Sequence, residues 1–280
     1  MTSARLHLAF ELDTRDATIL RVKAQEPPWR VVRGFDAPSG ERLAHVHNVS
    51  GGILDTDSLE WIVEVGPGAR AQITSTGATR VHRSRSHDRI ARQSAIVKIG
   101  EGGYFEYLPD QLIPFAGCRF EQSTCIEMGL GASLIWWDIV APGREASGEV
   151  FRYESLTSSF ELAVAGEPVA TENWKLLPLS HPMESLARLG PFRHFASCYV
   201  CRAGEPARYW RALEANLQTL VDRITTPDVL WGITSLRAHG LAIRGVAVSG
   251  RSLTESLVEL WRAAKWALCG RVATLPRKVH

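Results

Sequence analysis

Carboxylates in apolar surroundings are the side chains of this sequence that are best suited to chemistry. Asp138 follows two tryptophans in an apolar segment, Glu172 lies among apolar neighbours, and Asp57 closes an acidic turn. A buried carboxylate without partners is unfavourable unless it gives up its charge. We therefore expect each of the three to be paired, hydrated or close to a cation. Backbone donors that satisfy Asp138 are the structural alternative.

Two further pairs of residues have a spacing that metal ligands use. His45 and His47 would share one face of a strand, but a metal site needs a third ligand nearby. Cys198-x-x-Cys201 has a redox or zinc spacing, yet no second cysteine pair follows it. In a strand the two sulfurs would also face opposite sides. A polar strand face and two structural cysteines are the simpler interpretations.

Three glycine motifs at a spacing of about 30 residues predict stacked β units rather than a single hairpin. They are Val65-Gly66-Pro67-Gly68-Ala69, Ile99-Gly100-Glu101-Gly102-Gly103 and Met128-Gly129-Leu130-Gly131-Ala132. A phosphate-binding loop would need a helix N-terminus after the glycines, whereas a strand-like segment follows each motif. We interpret the motifs as turns.

Alternating apolar residues predict strands on both sides of the first turn. The alternating positions are Leu59, Trp61, Val63 and Val65 before it, and Ala69, Ala71, Ile73 and Ser75 after it. A later hairpin is predicted around Ala165-Gly166-Glu167-Pro168, and Glu172 lies on its second strand.

Two helices are predicted in the C-terminal part, with a strand pair between them. Pro206 opens the first helix, and a Ser252-x-x-Glu255 capping box and Gly270 bound the second. The predicted fold class is therefore mainly β: stacked β-strand repeats form a large solenoid-like or sandwich-like domain, followed by two α-helices. We expect residues 1–203 to form the β-rich repeat domain and residues 204–280 an α+β part packed on it.

Composition excludes several function classes. The 280 residues are 45% hydrophobic, enough for a sizeable core, and a net charge of +2 is too small to indicate nucleic-acid binding. Five cysteines in a long chain, no apolar signal segment and no apolar run of membrane-spanning length predict a cytoplasmic protein without a membrane anchor.

Enzyme motifs give little support to a catalytic role. The sequence has no Gly-x-Ser-x-Gly, no His-Glu-x-x-His and no P-loop pattern. A β-rich carbohydrate-binding module or glycoside-processing enzyme stays open as the alternative. Such an enzyme would use two carboxylates from a set comprising Asp57, Glu106, Asp138 and Glu172.

A series of motifs in order along the chain resembles the urease accessory protein UreD (UreH) family. Residues 51–84 contain its Gly-Gly and acidic element, its Gly-Pro-Gly-Ala turn, its Thr-x-x-Gly-Ala step and an Arg-Ser ending. Later elements of the pattern are Phe105-Glu106-Tyr107-Leu108-Pro109, Trp136-Trp137-Asp138-Ile139, Gly143-Arg144, Gly148-Glu149-x-Phe151 and the terminal Pro276-Arg277.

The resemblance implies a nonenzymatic maturation factor that holds no permanent cofactor. It would join apo-urease, bind the helical accessory protein UreF and through it the GTPase UreG, and help a transient nickel ion reach the urease active site through an internal passage. The acidic residues of the family pattern correspond to Asp57, Asp138 and Glu172. Nine tryptophans and the apolar stripes of both helices further predict an exposed apolar surface for the UreF-like partner.

Overall fold

The computed structural model describes residues 2–86 and 88–275, so the Pro276-Arg277 pair lies outside the described residues. The strands of the N-terminal half are β1 (Ser3–Leu12), β2 (Thr18–Gln25), β3 (Trp29–Arg30), β4 (Gly34–Asp36), β5 (Arg42–Asn48), β6 (Ser58–Val65), β7 (Arg70–Ser75), β8 (Thr79–Val81) and β9 (Ala91–Ile99). They are followed by β10 (Tyr104–Tyr107), β11 (Leu112–Pro114), β12 (Arg119–Met128), β13 (Ser133–Val140), β14 (Ser155–Val164), β15 (Glu167–Leu176) and β16 (His194–Arg202). The C-terminal part contains α1 (Ala207–Ile224), β17 (Val229–Ser235), β18 (Gly240–Ala247) and α2 (Gly250–Cys269).

Two large mixed sheets face each other. The first has the order β15, β14, β12, β9, β6, β1, β2, and the second the order β17, β18, β16, β13, β10, β7, β5, β3. Strands β6, β9, β12 and β14 are parallel neighbours in the first sheet, as are β5, β7, β10 and β13 in the second. Successive strands therefore alternate between the sheets. This arrangement confirms the predicted class of a mainly β, solenoid-like sandwich with its helices near the C-terminus.

The three glycine motifs form stacked corners between the two sheets, as predicted. Gly68 N donates to Glu101 O at 2.9 Å, and Gly102 N donates to Leu130 O at 2.9 Å, so each corner bonds to the next one. The stacking leaves no room for a side chain at Gly129, where an added Cβ would lie 2.9 Å from Glu101 N. Glycine is therefore required at this position by the close approach of two backbones.

We expect Gly129→Ala to lower the free energy of unfolding by about 1–3 kcal/mol, because the new methyl group overpacks a rigid corner. Gly77→Ala is the matched control, since a Cβ at Gly77 meets no atom within 4 Å and its φ is not positive. Urea unfolding of both variants would test the expectation. Equal stability of the two variants would contradict the stacked-corner explanation.

The end of the sandwich changes from parallel to antiparallel pairing. The turn at Ala165 and Gly166 joins β14 to β15 in the predicted hairpin, and β16, β17 and β18 extend the second sheet by antiparallel pairing. At this end of the sandwich, both sheets are formed by strands from the later part of the sequence. The candidate site lies here.

Two apolar cores lie on opposite faces of the second sheet. One fills the space between the sheets and includes Phe105, Trp136 and Tyr199, and the other lies between the second sheet and the helices and includes Trp137 and Trp261. The expected exposure of the helical stripes is therefore wrong, because the second core buries them. Trp266 is an exception on α2 and is 60% exposed.

The helix ends agree with the sequence except at the start of α2. Pro206 precedes α1, and Gly270 ends α2 in a left-handed conformation. The predicted Ser252-x-x-Glu255 capping box is wrong, because the helix begins at Gly250 and Ser249 is the N-cap, accepting a hydrogen bond from Arg251 N. In the described part of the chain, no helix is both long and apolar enough to span a membrane.

A buried ionic network attaches α2 to the second sheet. The fully buried Lys265 Nζ donates to Glu106 Oε2 at 3.0 Å, to Glu41 Oε2 at 3.1 Å and to Ser39 Oγ at 3.0 Å. In addition to the hydrogen bond from this lysine, Glu106 accepts hydrogen bonds from the side chains of Gln72, Tyr104 and Trp261. Burial alone would raise the pKa of Glu41, but Lys265 and the hydrogen bonds to the carboxylate hold this pKa below its usual range.

Candidate functional site

A row of polar side chains crosses the inner face of the first sheet. Gln122 on β12 pairs in register with Gln93 on β9 and with Ser158 on β14. Each of these positions lies two residues from buried residues of the same strand, and therefore shares their face and points into the sandwich. The row gives an otherwise apolar interior a polar stripe that runs across the strands.

Asp138 faces this stripe from the second sheet. Its carboxylate accepts a hydrogen bond from Trp136 Nε1 at 2.7 Å and another from the Gln122 amide. Burial and the negative charge of Glu172 raise the pKa of Asp138 to about 7, while the two hydrogen bonds oppose the rise. Asp138 is thus hydrogen-bonded, but both donors are neutral and no positive charge balances the carboxylate. The carboxyl group therefore takes up a proton more readily than usual.

Glu172 approaches the same place from β15, at the edge of the first sheet. Its Oε2 accepts a hydrogen bond from Tyr199 OH at 2.8 Å, and its Oε1 accepts one from Ser197 Oγ at 3.4 Å. Arg244 forms an ion pair with the same carboxylate, with Nε 3.1 Å from Oε2. Glu172 is therefore held by residues of the opposite sheet.

The structure brings Asp138 and Glu172 to one small cavity. The cavity has a volume of about 30 Å³, and Gln122, Ser158 and Tyr199 also line it. A space of this size holds a water molecule or a bare ion, and it is far smaller than the roughly 300 Å³ or more of an organic ligand site. Carboxylate oxygens beside a space of this size are ligands of the type that hard and borderline divalent cations take.

Larger spaces lie on both sides of this cavity. A cavity of about 260 Å³ is lined by Trp61, Gln93 and Tyr107, and an apolar groove of about 420 Å³ is lined by Glu172 and Ser197 among others. Trp136 lies between the two cavities: its ring centroid is 4.2 Å from that of Tyr107 and 6.2 Å from that of Phe160, which lines the small cavity. The three spaces follow one another across the strands.

Asp57 lies apart from the other two predicted residues. It is 4% exposed, and its Oδ2 accepts a hydrogen bond from Leu54 N at 2.9 Å within the turn before β6. Its carbonyl oxygen accepts from Arg92 N, which fixes the turn to β9. Asp57 lines none of the three spaces. Its contacts describe a carboxylate that stabilises a turn.

The remaining candidates are not brought into a metal centre. Cys198 and Cys201 point to opposite faces of β16, as the strand interpretation predicts, and burial raises the pKa of both thiols. His45 and His47 lie on β5, and the ring of His45 packs edge-on against Phe35. Within residues 2–86 and 88–275, no three His, Cys, Asp or Glu side chains are grouped so that they could share an ion.

Sequence reasoning missed three residues of the site. Gln122 could have been found, because it interrupts a series of inward-facing residues that includes Phe120 and Ile126. Tyr199 and Arg244 could not, because only the pairing of β13 with β16 and of β16 with β18 brings them to Glu172. Local alternation indicates which face of a strand is buried, but not which distant strand pairs with it.

Comparison with known proteins finds relatives along the whole chain. The family model described as UreD urease accessory protein matches residues 2–280. A urease accessory protein UreD from Herpetosiphon aurantiacus is 37% identical over 98% of this chain and 96% of its own length. The UreD protein of Deinococcus radiodurans is 31% identical, covering 99% of this chain and 95% of the relative, and that of Actinomyces naeslundii is 28% identical over 79% of both. With a family match along nearly its whole length and relatives of the same size, the chain belongs to the UreD family of urease accessory proteins.

Proposed function

We propose that this protein acts in the cytoplasm as a nonenzymatic scaffold for urease maturation that lets nickel ions pass through its interior. It binds apo-urease together with a UreF-like helical protein, which in turn binds a UreG-like GTPase. The observation that carries the nickel proposal is the pair Asp138 and Glu172 on one ion-sized cavity between the sheets.

The chemistry of the cavity suits an ion that is bound briefly. Carboxylate oxygens are weak ligands for a borderline divalent ion, whereas thiolates would retain it. The cysteines of β16 support this view, since burial keeps Cys198 protonated at neutral pH by raising its pKa to about 12. Nickel is therefore a cargo that enters and leaves the protein.

The neighbouring spaces support a path through the sandwich. Gln93 lines the larger cavity and its register partner Gln122 lines the small one, so polar groups continue from one to the next. The contact between Tyr107 and Trp136 lies between the two cavities. Passage of an ion would therefore require these rings to move and Trp136 to give up its hydrogen bond to Asp138.

The geometry argues against the carbohydrate alternative. A sugar ring does not fit a space of about 30 Å³ between Asp138 and Glu172. Glu106, a third candidate acid, is fully buried in the ionic network under α2. The pairs of carboxylates that glycoside hydrolysis would need are therefore not presented to a substrate-sized site.

We expect Asp138→Asn and Glu172→Gln to lower the nickel content of the urease produced while the accessory complex still forms. Replacing a partner of a metal ligand already reduces affinity by about 10–100-fold, so loss of a ligand should reduce nickel content at least several-fold. Glu161→Gln is the control, because Glu161 is an exposed carboxylate on the outer face of β14. The measurement is nickel per urease active site together with the yield of the complex.

Asp57→Asn should behave differently in the same assay. Because Asp57 stabilises a turn, its replacement should lower protein stability, complex yield and nickel content together. Full metallation of urease by the Asp138→Asn/Glu172→Gln double variant would reject the proposed path. A fall in nickel content that merely follows complex yield in these variants would reject it as well.

A further inference from the structure

Arg244 spans the gap between the two sheets at the open end of the sandwich. It lies on β18, in the same register row as Ser197 on β16 and Asp138 on β13. Its guanidinium group reaches Glu172 on the opposite sheet and lies 3.3 Å from Tyr199 OH. No other arginine or lysine among the described residues forms an ion pair with Glu172.

The carboxylate that Arg244 occupies stands at a boundary between two spaces. Glu172 and Ser197 line both the ion-sized cavity and the apolar groove outside it, whereas Arg244 lines the groove alone. Trp174 and Phe195 are the other two residues that line both spaces, so Glu172 is the charged group at the boundary between them. In the structure a fixed positive charge is already bound there.

The ion pair has the properties of a reversible closure. An arginine keeps its charge at all physiological pH values, so it repels a divalent cation and also competes with it for the carboxylate. The Arg244 side chain is 53% exposed and that of Glu172 is 17% exposed, so water can solvate the guanidinium group when it turns away from the carboxylate. When the guanidinium group leaves, the hydroxyl groups of Tyr199 and Ser197 still hold the Glu172 carboxylate.

We infer that Arg244 is the gate between the outer groove and the Asp138–Glu172 cavity, closed while it binds Glu172 and opened when a divalent ion displaces it. This inference rests on the proposed nickel path and adds a residue that controls access to it. When the guanidinium group turns outward, the ion binds the Glu172 carboxylate in its place. Glu172 therefore exchanges one positively charged partner for another and is never left unpaired.

The test is Ni²⁺ binding to the full-length protein, measured by titration calorimetry and by stopped-flow mixing with NiCl₂ alone. We expect Arg244→Met and Arg244→Gln to bind Ni²⁺ about tenfold more tightly than the wild type and to take it up faster, because a competing like charge is lost. The Ni²⁺ affinity of Arg244→Lys should lie between the affinity of these two variants and that of the wild type. Arg223→Met is the control, since Arg223 pairs with Glu259 on the helices.

The remaining variants separate the gate from the path. Glu172→Gln combined with Arg244→Met should lose the gain in affinity, because the exchanged carboxylate is gone. If Asp138→Asn and Glu172→Gln weaken Ni²⁺ binding while Arg244→Met and Arg244→Gln fold normally and bind as the wild type does, the gate is overturned and the path stands. If the wild type and all variants fail to bind Ni²⁺, both are overturned.

Discussion

Replacing Lys265 by methionine should lower the free energy of unfolding by about 3–5 kcal/mol, the cost of removing one partner from a buried ion pair. The ammonium group is fully buried and contacts Glu41, Glu106 and Ser39. Methionine fills a similar volume but leaves the carboxylates of Glu41 and Glu106 buried without the lysine. Arg70 still pairs with Glu41, but it does not pair with Glu106. Glu106 then keeps only neutral donors in an interior where a charge is poorly solvated.

The design of this experiment separates charge from packing. Adding Glu106→Gln to Lys265→Met removes the unpaired charge, and we expect it to restore part of the lost stability. Lys175→Met on the exposed side of β15 is the control and should change stability by less than about 0.5 kcal/mol. Urea unfolding at pH 7 gives the free energy of unfolding of the wild type and of these three variants. An Lys265→Met variant as stable as the wild type would show that the network does not hold α2 on the sheet.

Asp138→Asn should make the protein more stable at pH 8 while impairing nickel transfer. The pKa of Asp138 lies near 7 in the folded protein against 3.8 for an ordinary aspartate, mainly because of burial. A carboxyl group with a raised pKa binds more protons in the folded than in the unfolded state between these values. Its ionisation therefore destabilises the fold increasingly as pH rises from about 4 to 7, and the loss is constant above that range.

The size of this effect follows from the linkage of proton binding to folding. The difference between 3.8 and about 7 corresponds to at most about 4 kcal/mol, and we expect a gain of about 1–4 kcal/mol for Asp138→Asn at pH 8. Near pH 4 the variant and the wild type should be almost equally stable. Urea unfolding from pH 4.5 to 8 tests this, with Glu161→Gln as the control. Parallel pH profiles for Asp138→Asn and the wild type would contradict the assigned pKa.

A residue that destabilises the fold above neutral pH needs a reason to be there. Stability and activity often oppose each other at functional sites. If Asp138→Asn is more stable but delivers less nickel, the same carboxylate accounts for both results, and a purely structural role for Asp138 is excluded.

Much of the architecture could be predicted from local sequence, because it depends on local physics. The alternation around Trp61 reflects a strand with one buried face, and the recurrent glycines reflect corners where backbones touch. The strand of Ile73 is buried on both faces, because Gln72 and Thr74 lie under the second core. The start of α2 was misplaced because Ser249 and Ser252 are both acceptable caps, and only the helix position selects between them. The helical stripes were expected to be exposed because the sequence does not show that one sheet supports two cores.

The candidate site was only partly predictable for a similar reason. The position of Asp138 beside tryptophans indicated a carboxylate with partners, and Trp136 and Gln122 supply them. The acidic turn that contains Asp57 looks equally suitable in the sequence, yet its side chain bonds to its own turn. Arg244 gave no local signal, since a charged residue in a strand is usually a solvated one.

The order of the strands along the chain has a consequence for how the protein is synthesised. The side-chain partners of Glu172, namely Ser197, Tyr199 and Arg244, all come after the hairpin that carries it. Domains emerge from the ribosome N-terminus first. The parallel strands of both sheets can therefore pair while the cavity is still uncovered. The cavity is completed when β16 and β18 join the second sheet. A chain that ends before residue 194 would contain both carboxylates but would lack Ser197, Tyr199 and Arg244, the residues that hold Glu172 in place.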